Sequence, residues 1–148
     1  MSPVAPEHAS LVDSLVREID ASMLTDGPIS RTHIAVYAGA SGDYNGIHVD
    51  VDFARAAGLD DVIVHGMYSM GLLSRLLTRL TPRVRILEIA VRFQGMVPVG
   101  STLVCNARVQ SRSITPEGTV LEVELAARRP DNSIVTAGTT RVLVPQQH

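Results

Sequence analysis

Between residues 66 and 80 the chain carries Met67, Met70, Leu73, Leu77 and Leu80 at helical spacing, and Leu72 and Leu76 widen that stripe. A helix apolar over so much of its circumference is buried rather than laid on a surface. The spacing therefore predicts a central helix over 66–80, stopped by Pro82. After Pro82 the period changes. Residues 84–97, 102–114, 119–128 and 133–144 are β-rich runs of strand-like alternation. Pro98-Val99-Gly100, Pro116-Glu117-Gly118 and Pro130-Asp131-Asn132 punctuate them as turns. Strands that follow each other through short turns pair antiparallel. One long buried helix ahead of a strand-rich half predicts an α+β fold, with an antiparallel sheet wrapped around the helix.

The chain before residue 66 is less regular. Leu11, Val12, Leu15, Val16, Ile19 and Met23 fit a helical period and predict a helix, then a short strand ahead of Pro28. Ser30 is placed to cap a helix through Ala40, with Ile34 and Tyr37 on its apolar side and Gly42 ending it. Asp52 is placed to cap a short helix through Ala57, closed by Gly58. Residues 1–10, with two prolines, read as a loose terminus.

Composition narrows the function classes. At 148 residues the chain predicts one domain over 1–148, with a real core. Its formal net charge of -2 gives no electrostatic case for nucleic acid. All 13 basic residues are arginine, which excludes Schiff-base chemistry through a lysine. Arg83, Arg85, Arg92, Arg128 and Arg129, on or next to the strand runs, could meet phosphates of a ligand, yet arginines on strand faces are usually solvated surface. The single cysteine, Cys105, cannot form an internal disulfide, fits a reducing compartment, and reads as core. No apolar run approaches the length of a membrane span, and the N-terminus has no secretory pattern. The expected location is the cytoplasm, with no membrane partner.

Candidate chemistry lies just before the central helix. Ala40-Ser41-Gly42-Asp43-Tyr44-Asn45-Gly46-Ile47-His48-Val49-Asp50 puts a carboxylate, an amide and an imidazole within six residues. Val64-His65-Gly66-Met67 then opens the helix with a glycine, whose backbone N–H is free to face a ligand. On a continuous helix the Asp43 and His48 side chains would diverge by about 140°. On a strand their odd spacing puts them on opposite faces. They converge only if the backbone turns between them, and Asn45-Gly46 is a turning dipeptide. Spacing alone leaves two readings open: a hairpin around a type I′ turn, and a loop that brings Asp43 and His48 together as an acid/base pair.

Ser41-Gly42-Asp43-Tyr44-Asn45-Gly46-Ile47-His48, followed by Phe53-Ala54 and Val64-His65-Gly66-Met67, resembles the MaoC-like family of (R)-specific enoyl-CoA hydratases and dehydratases. The family pattern runs S-G-D-x-N-P-x-H, with V-H-G-M opening the long helix of a hot-dog fold, and the likeness covers roughly residues 28–144. One position departs: Gly46 stands where the family has proline, which would fix φ, so a looser turn is expected.

The resemblance implies hydration of a trans-2-enoyl thioester of coenzyme A or acyl carrier protein, with no cofactor and no metal. It assigns catalysis to Asp43, His48 and Gly66, with Asn45 beside them. Asp43 and His48, with ordinary pKa values of about 3.9 and 6.5, supply base and acid, and Gly66 N–H meets the thioester oxygen. Tyr44, His65, Met67 and Tyr68 are the expected substrate-contacting positions, the tyrosines as pocket wall. Each has a blander reading: Asp43 as a turn carboxylate, Asn45 as a structural amide, His65 as a hydrogen-bonded support. Asp43, His48 and His65 match no zinc spacing. A hot-dog thioesterase is the enzymatic alternative, disfavoured because residues 66–80 contain no Asp or Glu. A third reading is a subunit of a heteromeric dehydratase. The family also implies a homodimer, or a heterodimer with a related subunit.

Overall fold

The computed structural model describes residues 6–80 and 82–146. Five helices and five strands follow in order: α1 (Pro6–Asp20), β1 (Met23–Asp26), α2 (Arg31–Ser41), α3 (Gly46–Val49), α4 (Val51–Ala56), α5 (Gly66–Thr78), β2 (Arg85–Phe93), β3 (Leu103–Thr115), β4 (Gly118–Arg128) and β5 (Ile134–Pro145). The strands form one sheet in the order β1-β3-β4-β5-β2, and every pairing is antiparallel. This is an α+β hot-dog fold: the sheet curls around α5. Leu72, Leu73, Leu76 and Leu77 of α5 share one core with Cys105 and Ala107 of β3, Leu121, Val123 and Leu125 of β4, and Val142 of β5. No described helix is long and apolar enough to cross a membrane.

The expectation of a loose terminus over residues 1–10 is corrected for its described part, because α1 is helical from Pro6. Proline is well tolerated in the first helical turn, where its missing N–H has no acceptor to lose. The helix then stays because it is buried on one side. Val12, Leu15 and Ile19 enter the common core, and His8 is held by Thr119 of β4 at 3.0 Å. On its outer side Asp13 pairs with Arg112 at 2.7 Å, and Glu18 takes both guanidinium nitrogens of Arg83 at 2.9 Å. That guanidinium holds the Glu18 carboxyl below its ordinary range. At the other end Asp20 accepts from the Val109 N–H at 2.7 Å, beside the bulge that shifts the β3–β4 register.

The segments ahead of α5 follow their capping residues. Ser30 caps α2 in a capping box with His33, and Gly42 closes it in the left-handed region with φ of 75°. The cap of α4 is Asp50 rather than Asp52. Its carboxylate accepts from Asp52 N–H at 2.9 Å and Phe53 N–H at 3.0 Å, whereas Asp52 lies inside the first turn. Gly58, with φ of 87°, follows that helix.

The core leaves a clear expectation. Leu73→Ala opens a cavity at a fully buried site and should cost about 2–5 kcal/mol, read from urea denaturation, with the far-UV spectrum of the folded protein unchanged.

Candidate active site

Of the two readings of the Asn45-Gly46 turn, the hairpin is corrected, and the turn that brings Asp43 and His48 together is made by a helix. There is no hairpin, because Gly46 begins the one-turn helix α3, whose N-cap is Asn45. The Asn45 side chain accepts from the Ile47 N–H at 3.2 Å, and Asp50 N–H closes the turn on the Gly46 carbonyl at 2.9 Å. Gly46 therefore stands at a helix N1 position, where proline is also at home. A Cβ added there would lie 2.5 Å from Cγ of Phe53, so the ring of Phe53 occupies the space where a side chain would be.

This turn brings Asp43 and His48 together. His48 Nε2 lies 3.9 Å from Asp43 Oδ2, with the imidazole buried and the carboxylate half exposed. Each is held on its far side. His48 Nδ1 meets the Ile63 carbonyl at 2.7 Å, which must accept, so Nδ1 carries a proton and Nε2 faces the carboxylate. Asp43 Oδ1 accepts from Asn45 N–H at 3.3 Å, which leaves Oδ2 toward His48. The Asp43 carbonyl in turn accepts from His65 Nε2 at 3.0 Å. Asn45 thus caps α3 and steadies Asp43.

His65 is buried directly behind His48. The two rings stack with centroids 3.8 Å apart and planes 23° from parallel. Tyr37 packs on His65 at 4.9 Å, and Tyr68 meets Tyr37 edge-on at 5.3 Å. A row of rings therefore runs from His48 to β1, where Tyr68 donates to Asp26 Oδ2 at 2.6 Å. Tyr37 was legible in the sequence only as an apolar helix position. Burial and then the Asp26 carboxylate push the Tyr68 hydroxyl up to about 12. Burial, with Asp43 nearby, also raises that of Tyr37. Asp43, His48 and His65 offer potential ligand atoms within 4.8 Å of one another. Stacking nevertheless suits a metal poorly, because ring nitrogens donate in their ring planes and near-parallel planes do not converge on one ion.

A cavity of about 520 Å³ opens beside His48. His48, Val64, Ser69, Val97 and Thr136 form its buried base, and Phe93, Gln94 and Met96 its exposed rim. Gly66 lines it at the N-terminus of α5, where the first N–H groups have no intrahelical acceptor. A Cβ at Gly66 would come within 3.1 Å of the Phe93 ring, so the glycine lets that ring close on the helix end. Of the expected substrate-contacting residues, the structure brings none to the cavity lining. Tyr44 and Met67 point to solvent, Tyr68 turns to Asp26, and His65 lies behind His48. Ser69, Phe93, Gln94 and Thr136 carry no motif in the sequence, and only the packing of α5 against β2 and β5 assembles them.

Residues 15–127 match the family described as MaoC like domain. The chain belongs to that family. An (R)-specific enoyl-CoA hydratase of Rhodospirillum rubrum is 31% identical over 123 residues, 79% of this chain and 81% of that protein. A 64-residue stretch is 41% identical to the peroxisomal hydratase-dehydrogenase-epimerase of Neurospora crassa, covering 43% of this chain and 7% of that much longer protein. Among solved structures, the unliganded R-hydratase PhaJ1 of Pseudomonas aeruginosa superposes with a TM-score of 0.74 at 23% identity, covering 85% of this chain and 80% of that one. That likeness concerns the fold.

Cys105, buried, and Tyr68, partly buried, have measurable consequences. Burial, then the Asp26 carboxylate, pushes the Cys105 thiol up to about 12, so native protein at pH 8 should resist thiol reagents that label it fully once unfolded. Tyr68 is raised from 10.0 to about 12, so folding favours its neutral form. The stability it contributes is complete below pH 10 and lost as the pH rises toward 12. The thermal midpoint of the wild type should fall across that window more steeply than that of Tyr68→Phe.

Proposed function

We propose that this chain is a hydro-lyase that reversibly hydrates a trans-2-enoyl thioester, of coenzyme A or acyl carrier protein, to the (3R)-hydroxyacyl thioester. The observation that carries this is the 3.9 Å gap between His48 Nε2 and Asp43 Oδ2, with His48 and Gly66 lining one cavity. That gap is too long for a direct hydrogen bond and suits one water held by both groups.

Addition of water needs a base for the water, a proton for the α-carbon, and stabilisation of the enolate oxygen. Water held between Asp43 and His48 attacks the β-carbon as one of the pair takes its proton. The other group supplies a proton to the α-carbon. Both groups flank the same water, so the roles belong to the dyad. The developing enolate oxygen takes the Gly66 N–H, at the positive end of α5. Asn45 and His65 act on the chemistry through Asp43, which they hold by its backbone and carboxylate.

Asp43→Asn and His48→Ala should each lower turnover of enoyl-CoA by about 10²- to 10⁴-fold, and the double variant should lose little more, because both remove the same constellation. Asn45→Ala should cost about 0.5–2 kcal/mol of stability through its lost cap and less turnover than either. Loss of absorbance of the conjugated thioester and the thermal midpoint read both effects. A stable His65→Ala that is inactive beside an active His48→Ala would overturn the assignment.

The chain further reads as half of a dimer, with itself or a related subunit. Strand β2 ends the sheet order with its outer edge unpaired among the described residues, and Phe93 and Met96 beside it are 50% and 62% exposed. An open edge next to exposed apolar side chains calls for a cover. Sedimentation of the purified protein should give twice the 15.9 kDa of one chain, and a monomer that retains full activity would refute self-association.

A further inference from the structure

The hydratase reading leaves the acyl group undefined, and the base of the cavity bears on it. From solvent inward, the lining passes from Phe93, Gln94 and Met96 to Ser69 and Thr136, each 1% exposed. Ser69 lies on α5 and Thr136 on β5, so the 2.6 Å contact between their hydroxyls ties helix to sheet. Ser69 has one proton, and its oxygen also lies 2.6 Å from the Gly66 carbonyl, which can only accept. With Ser69 donating to that carbonyl, Thr136 donates to Ser69, and neither hydroxyl proton is left for a ligand. On α5 the next residues inward, Leu72 and Leu73, are packed into the core.

We infer that this site is built for short acyl groups, of about four to six carbons, and that Ser69 and Thr136 set the limit; the inference rests on the enoyl thioester reading above. The length follows from the helix. Gly66 and Ser69 are three residues apart, about 4.5 Å along the axis, which an extended carbon chain crosses in about three or four bonds. A thioester whose oxygen sits at Gly66 N–H therefore reaches the hydroxyl pair with its fourth or fifth carbon. To go further, the chain must part Ser69 from Thr136. That strands Thr136 without its buried acceptor, a loss that one or two extra buried methylenes do not offset. The pair also explains why a helix otherwise apolar on its buried side places a serine there.

The test uses the full chain with trans-2-enoyl-CoA of four, six, eight, ten and twelve carbons, and calorimetric binding of the matching saturated acyl-CoA. In the wild type, kcat/KM at four and six carbons should exceed that at ten and twelve by about 10- to 200-fold, the discrimination a pocket of fixed depth supports. Ser69→Ala and Thr136→Ala, singly and together, should raise the ratio of the ten- and twelve-carbon values to the four-carbon value by about 10-fold or more. A wild-type profile that is flat or rises toward twelve carbons overturns the inference without any variant. Variants that fold but keep the wild-type ratio overturn the assignment to this pair. If no enoyl-CoA turns over, the hydratase reading falls, and binding decides the limit separately. Affinity that stops rising at six carbons supports it, and affinity that climbs through twelve refutes it.

Discussion

The structure depends on burying α5. Four leucines on one helix, each contributing about 1.5–3 kcal/mol when removed from water, need apolar cover on several sides, and a single flat sheet covers only one. The sheet therefore curls, and β1, β3, β4, β5 and β2 wrap the helix in that order. Cover is completed by α1, which brings Val12, Leu15 and Ile19 into the same core. The site is a consequence of that arrangement. A helix enclosed along its length still has an N-terminus, and the unbonded N–H groups there emerge beside the loop that carries Asp43 and His48.

What favours the proposed dyad is how little freedom its members have. His48 is fixed by its bond to the Ile63 carbonyl and by stacking on His65, which leaves one nitrogen for chemistry. Asp43 is fixed through its carbonyl by His65 and through one carboxylate oxygen by Asn45 N–H. The remaining atoms face each other across a gap sized for one water. In the proposed hydration such preorganisation costs nothing at the moment of reaction, and the α5 N-terminus would stabilise charge beside it. Apolar walls and a partly open rim are suited to excluding bulk water once a substrate fills the cavity.

Much of this was present in the residues alone. The apolar stripe of 66–80 required burial, the β-rich runs required a sheet, and their short turns required antiparallel pairing, because these are periodicities that local geometry enforces. Spacing left the Asp43–His48 stretch open between a hairpin and a converging loop, and only the likeness of the whole motif to the MaoC-like pattern favoured an acid/base pair. Single-residue signals were less secure. Asp50 rather than Asp52 caps α4, and helix α1 extends back to Pro6, because a cap is decided by where the chain actually turns and a terminus by what it packs against.

Tertiary structure alone decided the rest. Gly46 read as a loosened turn, yet the ring of Phe53, seven residues away, fills the vacant space. Tyr44, Met67 and Tyr68 are neighbours of the motif in sequence and still face away from the cavity. Successive residues on a helix or tight turn point in different directions. Ser69 and Thr136 are 67 residues apart and share a hydrogen bond at its base. Local pattern determines which faces must be buried. Only the packing of distant segments determines which side chains meet inside.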